Sequence, residues 1–156
     1  MGRHSYLIAL GSNRRGMRGS PHALLASLEL NDIVSRSAIH TTVPLGPGTR
    51  SYANAVVQIE TDRSPPALLA HLKLIEQAHG RRSSRRWGDR SLDLDIIGWS
   101  GGLWASPELS IPHPAFRQRR FVLAPLVEIA PDWRDPVTHL TARQLLARLD
   151  RKRARA

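Results

Sequence analysis

Apolar residues gather into four short stretches bounded by turn-forming residues, and two longer stretches carry the three-and-four spacing of a helix. Ser5 to Leu10 reads as a buried strand ending at Gly11, and Ser20-Pro21 supplies the N-cap and first position of a helix reaching about Leu30. Ile33 to Thr42 and Tyr52 to Thr61 are β-branched runs on either side of residues 44–51, a segment rich in Pro and Gly, which predicts two strands joined by a stiff, exposed loop. Ser64-Pro65-Pro66 opens a second helix carrying Leu68, Leu69, Leu72, Ile75 and Glu76, with Gly80 placed to end it. Leu92 to Trp99 gives a fourth strand.

Strand, helix, strand, strand, helix, strand is the order of the split βαβ arrangement, a sheet with its helices on one face. Residues 100–156 then read as an elaboration of that core: a hairpin turn at Gly101-Gly102, a short helix from Phe121 to Ala130 broken by Pro125, and a last helix from Thr141 to Leu149. Arg151 to Arg155 is expected to be a frayed basic tail. A length of 156 residues fits one domain spanning 1–156, with enough surface to bury for folding without cross-links.

Composition removes several chemistries. The chain has no Cys, which excludes a disulfide scaffold, a thiolate zinc site and a cysteine nucleophile. Its only lysines, Lys73 and Lys152, follow Leu72 and Arg151, so no Gly-Lys P-loop exists, and no Gly-x-Gly-x-x-Gly occurs. No two of the seven His stand three or four residues apart, the spacing of a helical zinc pair. The apolar run Tyr6 to Leu10 is too short for a signal-peptide core, so a soluble cytoplasmic protein is expected. Lys plus Arg number 23 against 13 Asp plus Glu, a net +10 that favours anionic partners and comes almost entirely from arginine.

Chemistry concentrates where acids interrupt an apolar strand. Asp93-Leu94-Asp95 puts two carboxylates on one face, ~6.5–7 Å apart, with Leu92, Leu94 and Ile96 on the other. Like charges on a mid-sheet strand are costly unless a cation neutralises them, and hard oxygen ligands favour magnesium; ion pairing to nearby arginines is the plainer alternative. Just upstream, residues 80–90 hold five arginines, a mobile basic loop suited either to bidentate contacts with phosphate or, with Trp87 stacking on a base, to nucleic acid. Asn54, beside Tyr52, offers donor and acceptor together, the complement of a lactam-like heterocycle edge, while Tyr52 and Phe121 offer flat faces. Core packing is the competing role for these three. His113, fixed between Pro112 and Pro114, is either a phosphate contact or an exposed loop residue.

These residues fall into seven ordered motifs: Ala9-Leu10-Gly11-Ser12-Asn13; Thr42-x-Pro44-Leu45-Gly46-Pro47; Tyr52-x-Asn54-Ala55-Val56; Ile75-Glu76 ahead of Gly80-Arg81; Arg86-Trp87-Gly88-x-Arg90-x-x-Asp93-Leu94-Asp95-Ile96; Ile111-Pro112-His113-Pro114; and Arg119-x-Phe121 running on to Pro131. Together they resemble the 6-hydroxymethyl-7,8-dihydropterin pyrophosphokinase family of folate biosynthesis over nearly the whole chain. The resemblance implies a ferredoxin-like α+β fold and an ATP-dependent diphosphokinase, a transferase that moves pyrophosphate from ATP to the pterin hydroxymethyl oxygen and releases AMP. It implies two magnesium ions held by Asp93 and Asp95, with ATP as co-substrate. Arg81 and Arg90 would neutralise the transferring group, and Arg86 and Trp87 would belong to a loop closing over the site. Glu76, Arg90, Ile96, His113 and Arg119 would line the ATP site; Tyr52 and Phe121 would sandwich the pterin, with Asn54 and main-chain groups near Thr42 and Leu45 reading its edge.

The chain departs from the family pattern at Asp89, Ser83, His40, Val43 and the short loop between Gly46 and Tyr52. These bear on loop closure and affinity and leave both carboxylates in place. A monofunctional monomer is expected, without membrane or nucleic-acid partners. The alternatives are a basic nucleic-acid-binding module on a similar sheet, or a homologue that has kept the fold and lost activity.

Overall fold

The computed structural model describes residues 2–13, 30, 32–42, 52–79 and 92–155. Its main sheet is built around β1 (His4–Ser12), whose apolar run is buried on both faces, as a central strand's must be. On one side β1 pairs antiparallel with β4 (Tyr52–Thr61), and on the other with β5 (Asp93–Trp99). Strands β2 (Ile33–Arg36) and β3 (His40–Thr42) lie in succession along the far side of β4. The order β2-β4-β1-β5 is the antiparallel order of the ferredoxin-like α+β fold.

Strand alternation divides the core in two. Tyr6, Ile8 and Leu10 of β1, with Ala55, Val57 and Ile96, face helix α1 (Pro65–Ala78) through its Leu68 and Leu72. Leu7, Ala9, Val56 and Ile97 face the opposite way, onto helices α2 (Arg120–Ile129) and α3 (Ala142–Arg155). Helices therefore cover both faces of the sheet, where element order alone suggested one. The C-terminal segment supplies the second layer because Val122, Leu123, Leu126, Ala142 and Leu145 form an apolar surface that finds its partner on the free sheet face.

Several expected boundaries move. The run Ile33 to Thr42 is two strands: between them Ser37 donates its backbone N–H to the Val56 carbonyl and accepts the Val56 N–H on its hydroxyl, a side-chain bond in place of the regular ladder. Among the described residues, strand β5 stands at the edge of the sheet rather than in its middle. Gly102 does close a turn, donating to the Trp99 carbonyl at 2.9 Å, but the hairpin that follows pairs β6 (Trp104–Ser106) with β7 (Leu109–Ile111) around Pro107 and Glu108. Pro125 does not break α2; it is the sixth of the helix's ten residues, and its missing N–H costs the one bond to the carbonyl of Phe121, a half-exposed residue. Arg151 to Arg155, expected as a frayed tail, continues α3 as exposed helix. The expected helix from Ser20 to Leu30 lies, apart from Leu30, outside the described residues.

Two ties fix the C-terminal layer. Fully buried Asp135 accepts two bonds from Arg117, at 2.5 and 2.8 Å, and one each from the Thr138 hydroxyl and the Val137 N–H. Trp133 packs edge-on against buried Phe116 and lies over Gly98, where an added Cβ would stand 2.7 Å from the indole. Among the described residues no helix is long and apolar enough to cross a membrane.

Candidate active site

Along the face of β1 that meets α2, side chains shrink toward the strand end: Leu7, then Ala9, then Gly11. The register sets Gly11 between Asn54 of β4 and Asp93 of β5, and Ala9 between Val56 and Asp95. Directly opposed residues share a face, so Asn54, the bare Gly11 backbone and Asp93 form one row across three strands. The row extends outward to His40 on β3, and the next pair, Thr42 with Tyr52, lies on the same face. A cavity of about 530 Å³ opens over this row, bounded on the helical side by Arg119, Phe121 and Val122 at the start of α2.

Asp93, Asp95, Asn54, Tyr52, Thr42, Arg119 and Phe121, all singled out from the sequence, line this one cavity. Both aspartates are only half-buried, since β5 is an edge strand and its end opens to solvent. Asp95 pairs with Arg119 at 4.0 Å, and Arg119 lies 5.7 Å over the Phe121 ring. Asn54 is buried, whereas Tyr52 and Phe121 are 48% and 46% exposed, so these rings are rim groups rather than core.

Three other expected residues stand outside the cavity lining. Ile96 is packed in the core on the α1 face of β5. Glu76 of α1 is 3% exposed; its Oε2 accepts the Leu94 N–H at 2.8 Å, and Lys73 lies 3.3 Å from Oε1. An edge strand leaves outward N–H groups without a strand partner, and Glu76 satisfies the one lying between the two aspartates. His113 follows the cis Ile111–Pro112 bond, donates its backbone N–H to Ile97, and accepts the Ala115 N–H on Nδ1. Burial pushes its imidazole pKa down, Asp95 opposing the shift and Arg119 adding to it, and with Nδ1 accepting from Ala115 the ring's N–H donor is at Nε2. Arg81, Arg86, Trp87, Arg90 and Leu45 lie outside the described residues.

The structure also adds Gly11, Ser12 and Asn13 to the lining. In the sequence they stand in the first of the family motifs, where the strand was expected to end at Gly11 and no site role was given to them.

The profile of the 7,8-dihydro-6-hydroxymethylpterin-pyrophosphokinase (HPPK) family matches residues 7–131. The chain belongs to that family. A pyrophosphokinase from Haemophilus influenzae, named for 2-amino-4-hydroxy-6-hydroxymethyldihydropteridine, is 43% identical over 129 residues, 80% of this chain and 81% of its own. Its namesake from Synechocystis is 37% identical over 150 residues, 94% of this chain and 77% of its own. The HPPK fold recurs in the Plasmodium falciparum HPPK-DHPS crystal structure, with a TM-score of 0.73 at 14% identity; the match covers 99% of this chain and 45% of that one.

Proposed function

We propose that this chain transfers the pyrophosphoryl group of ATP to the hydroxymethyl oxygen of 6-hydroxymethyl-7,8-dihydropterin within the cavity above Gly11, yielding AMP and the pterin diphosphate for folate biosynthesis. The observation that carries the reading is the row Asn54–Gly11–Asp93: a buried amide, a floor with no side chain and a carboxylate, set side by side across three strands and flanked by two half-exposed aromatic rings. A flat heterocycle needs that combination. The Asn54 amide matches a pterin edge that carries both donors and acceptors, and Tyr52 and Phe121 supply faces for the ring.

The donor set fits a hard divalent cation. Asp93 and Asp95 offer oxygen ligands at the cavity wall, and Asn13 Oδ1 is buried at the same cavity with no hydrogen-bond partner among the described residues. Asp93 and Asp95 would hold the ion from the wall of the cavity, with phosphate oxygens and water filling out its shell. When bound there, magnesium, as two ions, supplies charge neutralisation for the transferring phosphates.

Phosphoryl transfer demands alignment and charge stabilisation more than covalent chemistry from the protein. The pterin hydroxymethyl oxygen forms its bond to the β-phosphorus as the bond from that phosphorus to the oxygen of the α-phosphate breaks. AMP departs, and the hydroxyl proton passes to solvent. Arg119, already 4.0 Å from Asp95, is placed to hold a phosphate oxygen, and the His113 Nε2–H is a neutral donor on the same side. Arg81 and Arg90 neutralise the transferring group, and Arg86 and Trp87 close over it, as the family resemblance implies. Glu76 acts from beneath β5, through the Leu94 N–H, rather than by touching nucleotide across the cavity.

Two acids on the wall of a concave site work against nucleic-acid phosphate, which disfavours the module alternative. Titrating the pterin in the presence of magnesium and a non-hydrolysable ATP analogue tests the site assignment. Asn54→Ala is expected to weaken pterin affinity by at least about tenfold, the value of one well-placed hydrogen bond to a buried group. Unchanged affinity would move the pterin elsewhere.

A further inference from the structure

Nothing above gives Glu128 a role, yet its carboxylate makes two contacts across the site wall. One oxygen, Oε1, accepts the Ala38 N–H at 3.0 Å, and the other pairs with His40 Nε2. Both partners lie on the short segment leading through β3, a three-residue strand that pairs with β4. His40 is in register with Asn54, and Thr42, two residues on, with Tyr52.

Glu128 stands seven residues after Phe121 in α2. Two helical turns return nearly to the same direction, so both residues share one helix face, ~10 Å apart along the axis. The cavity has a strand wall of Thr42, Tyr52 and Asn54 and a helix wall of Arg119, Phe121 and Val122. Val122, Leu123 and Leu126 pack α2 onto β4, and Glu128 is the α2 side chain that bonds to the β3 segment beyond it. Glu128 thus adds a tie from α2 to a segment whose strand pairing with β4 is three residues long.

We propose that Glu128 is a positioning residue for the pterin end of the cavity: by tying Ala38 and His40 to α2 it sets the separation between the strand wall and the Phe121 wall. This rests on the reading of the cavity as the pterin site. Glu128 is about one-third exposed and belongs to neither core cluster, so truncation removes the tie without opening the core.

The test compares wild type, Glu128→Ala, Glu128→Gln and His40→Ala by titrating 6-hydroxymethyl-7,8-dihydropterin with magnesium and a non-hydrolysable ATP analogue, alongside separate KM values for ATP and pterin. Glu128→Ala is expected to raise the pterin Kd and KM about five- to tenfold, with kcat and the ATP KM within about twofold of wild type. Glu128→Gln keeps a carbonyl acceptor for the Ala38 N–H and is expected to restore most of the affinity. His40→Ala cuts the tie from the strand side and is expected to show a smaller loss in the same direction. A role confined to stability would lower Tm without separating pterin from ATP.

Folded Glu128→Ala and His40→Ala proteins that bind the pterin as wild type does would overturn the inference. Equal loss for pterin and ATP would overturn it as well. Wild-type protein that binds no pterin would overturn the reading of the cavity itself.

Discussion

A Cβ added to Gly11 would stand 3.2 Å from Asn54 Oδ1, closer than nearly all real contacts of that kind. In the proposed site, the glycine leaves the room a heterocycle would need to lie flat against the sheet between Asn54 and Asp93. Gly11→Val fills the trough with a residue that suits a strand, so the fold is expected to persist while pterin affinity drops at least about tenfold. Pterin titration beside a thermal melt checks this. Full affinity in the valine variant would put the ring elsewhere.

Asp95 carries the charge case. Asp95→Asn keeps shape and removes the charge, and turnover in saturating magnesium is expected to fall at least about a hundredfold, near 3 kcal/mol of transition-state stabilisation. Stability should scarcely change, because the carboxylate is half-exposed and its 4.0 Å pair with Arg119 is of the surface kind. Near-normal turnover would remove Asp95 from the metal site.

Glu76 separates hydrogen bonding from charge. Glu76→Ala leaves the Leu94 N–H unpaired on an edge strand, at an expected cost of about 1–3 kcal/mol in urea unfolding, whereas Glu76→Gln retains an acceptor and most of the stability. Equal losses in both variants would show that the charge and its Lys73 neighbour matter more than the bond.

Acid sensitivity has an assigned source. Burial alone would push the Asp135 carboxyl up, but bonds from Arg117, Thr138 and the Val137 N–H outweigh it and hold the pKa at about 2 against an ordinary 3.8. A carboxyl depressed on folding stabilises the protein above its unfolded value and loses that contribution as pH falls through the folded one. About 2 kcal/mol should therefore disappear between roughly pH 4 and pH 2. Urea midpoints across that range, for wild type and Asp135→Asn, are expected to converge at low pH; parallel curves would assign the acid sensitivity to another group.

Much of this was legible because the relevant signals are local. Asp93 and Asp95 had to share a face once β5 was a strand, and Asn54 had to point the same way as Tyr52. The family motifs marked Arg119 and Phe121, which line the same cavity. What escaped was tertiary. Nothing in the period of Val122, Leu123 and Leu126 says which sheet face they cover, so the second helical layer was unplaced. The edge position of β5 follows from strand order, which spacing does not encode. Pro125 looked like a breaker because propensity counts the lost hydrogen bond and not the packing of Val122, Leu123 and Leu126, which holds the helix together across it. Glu128 stood in a motif with no visible purpose until the structure brought β3 beside it.

The most direct measurement incubates the protein with ATP, magnesium and 6-hydroxymethyl-7,8-dihydropterin, then resolves nucleotides and pterins over time. AMP appearing in step with the pterin diphosphate, absent without the pterin and abolished by Asp95→Asn, is the expected result. Folded protein that binds ATP yet forms no AMP, or that releases ADP instead, would contradict pyrophosphoryl transfer in this cavity.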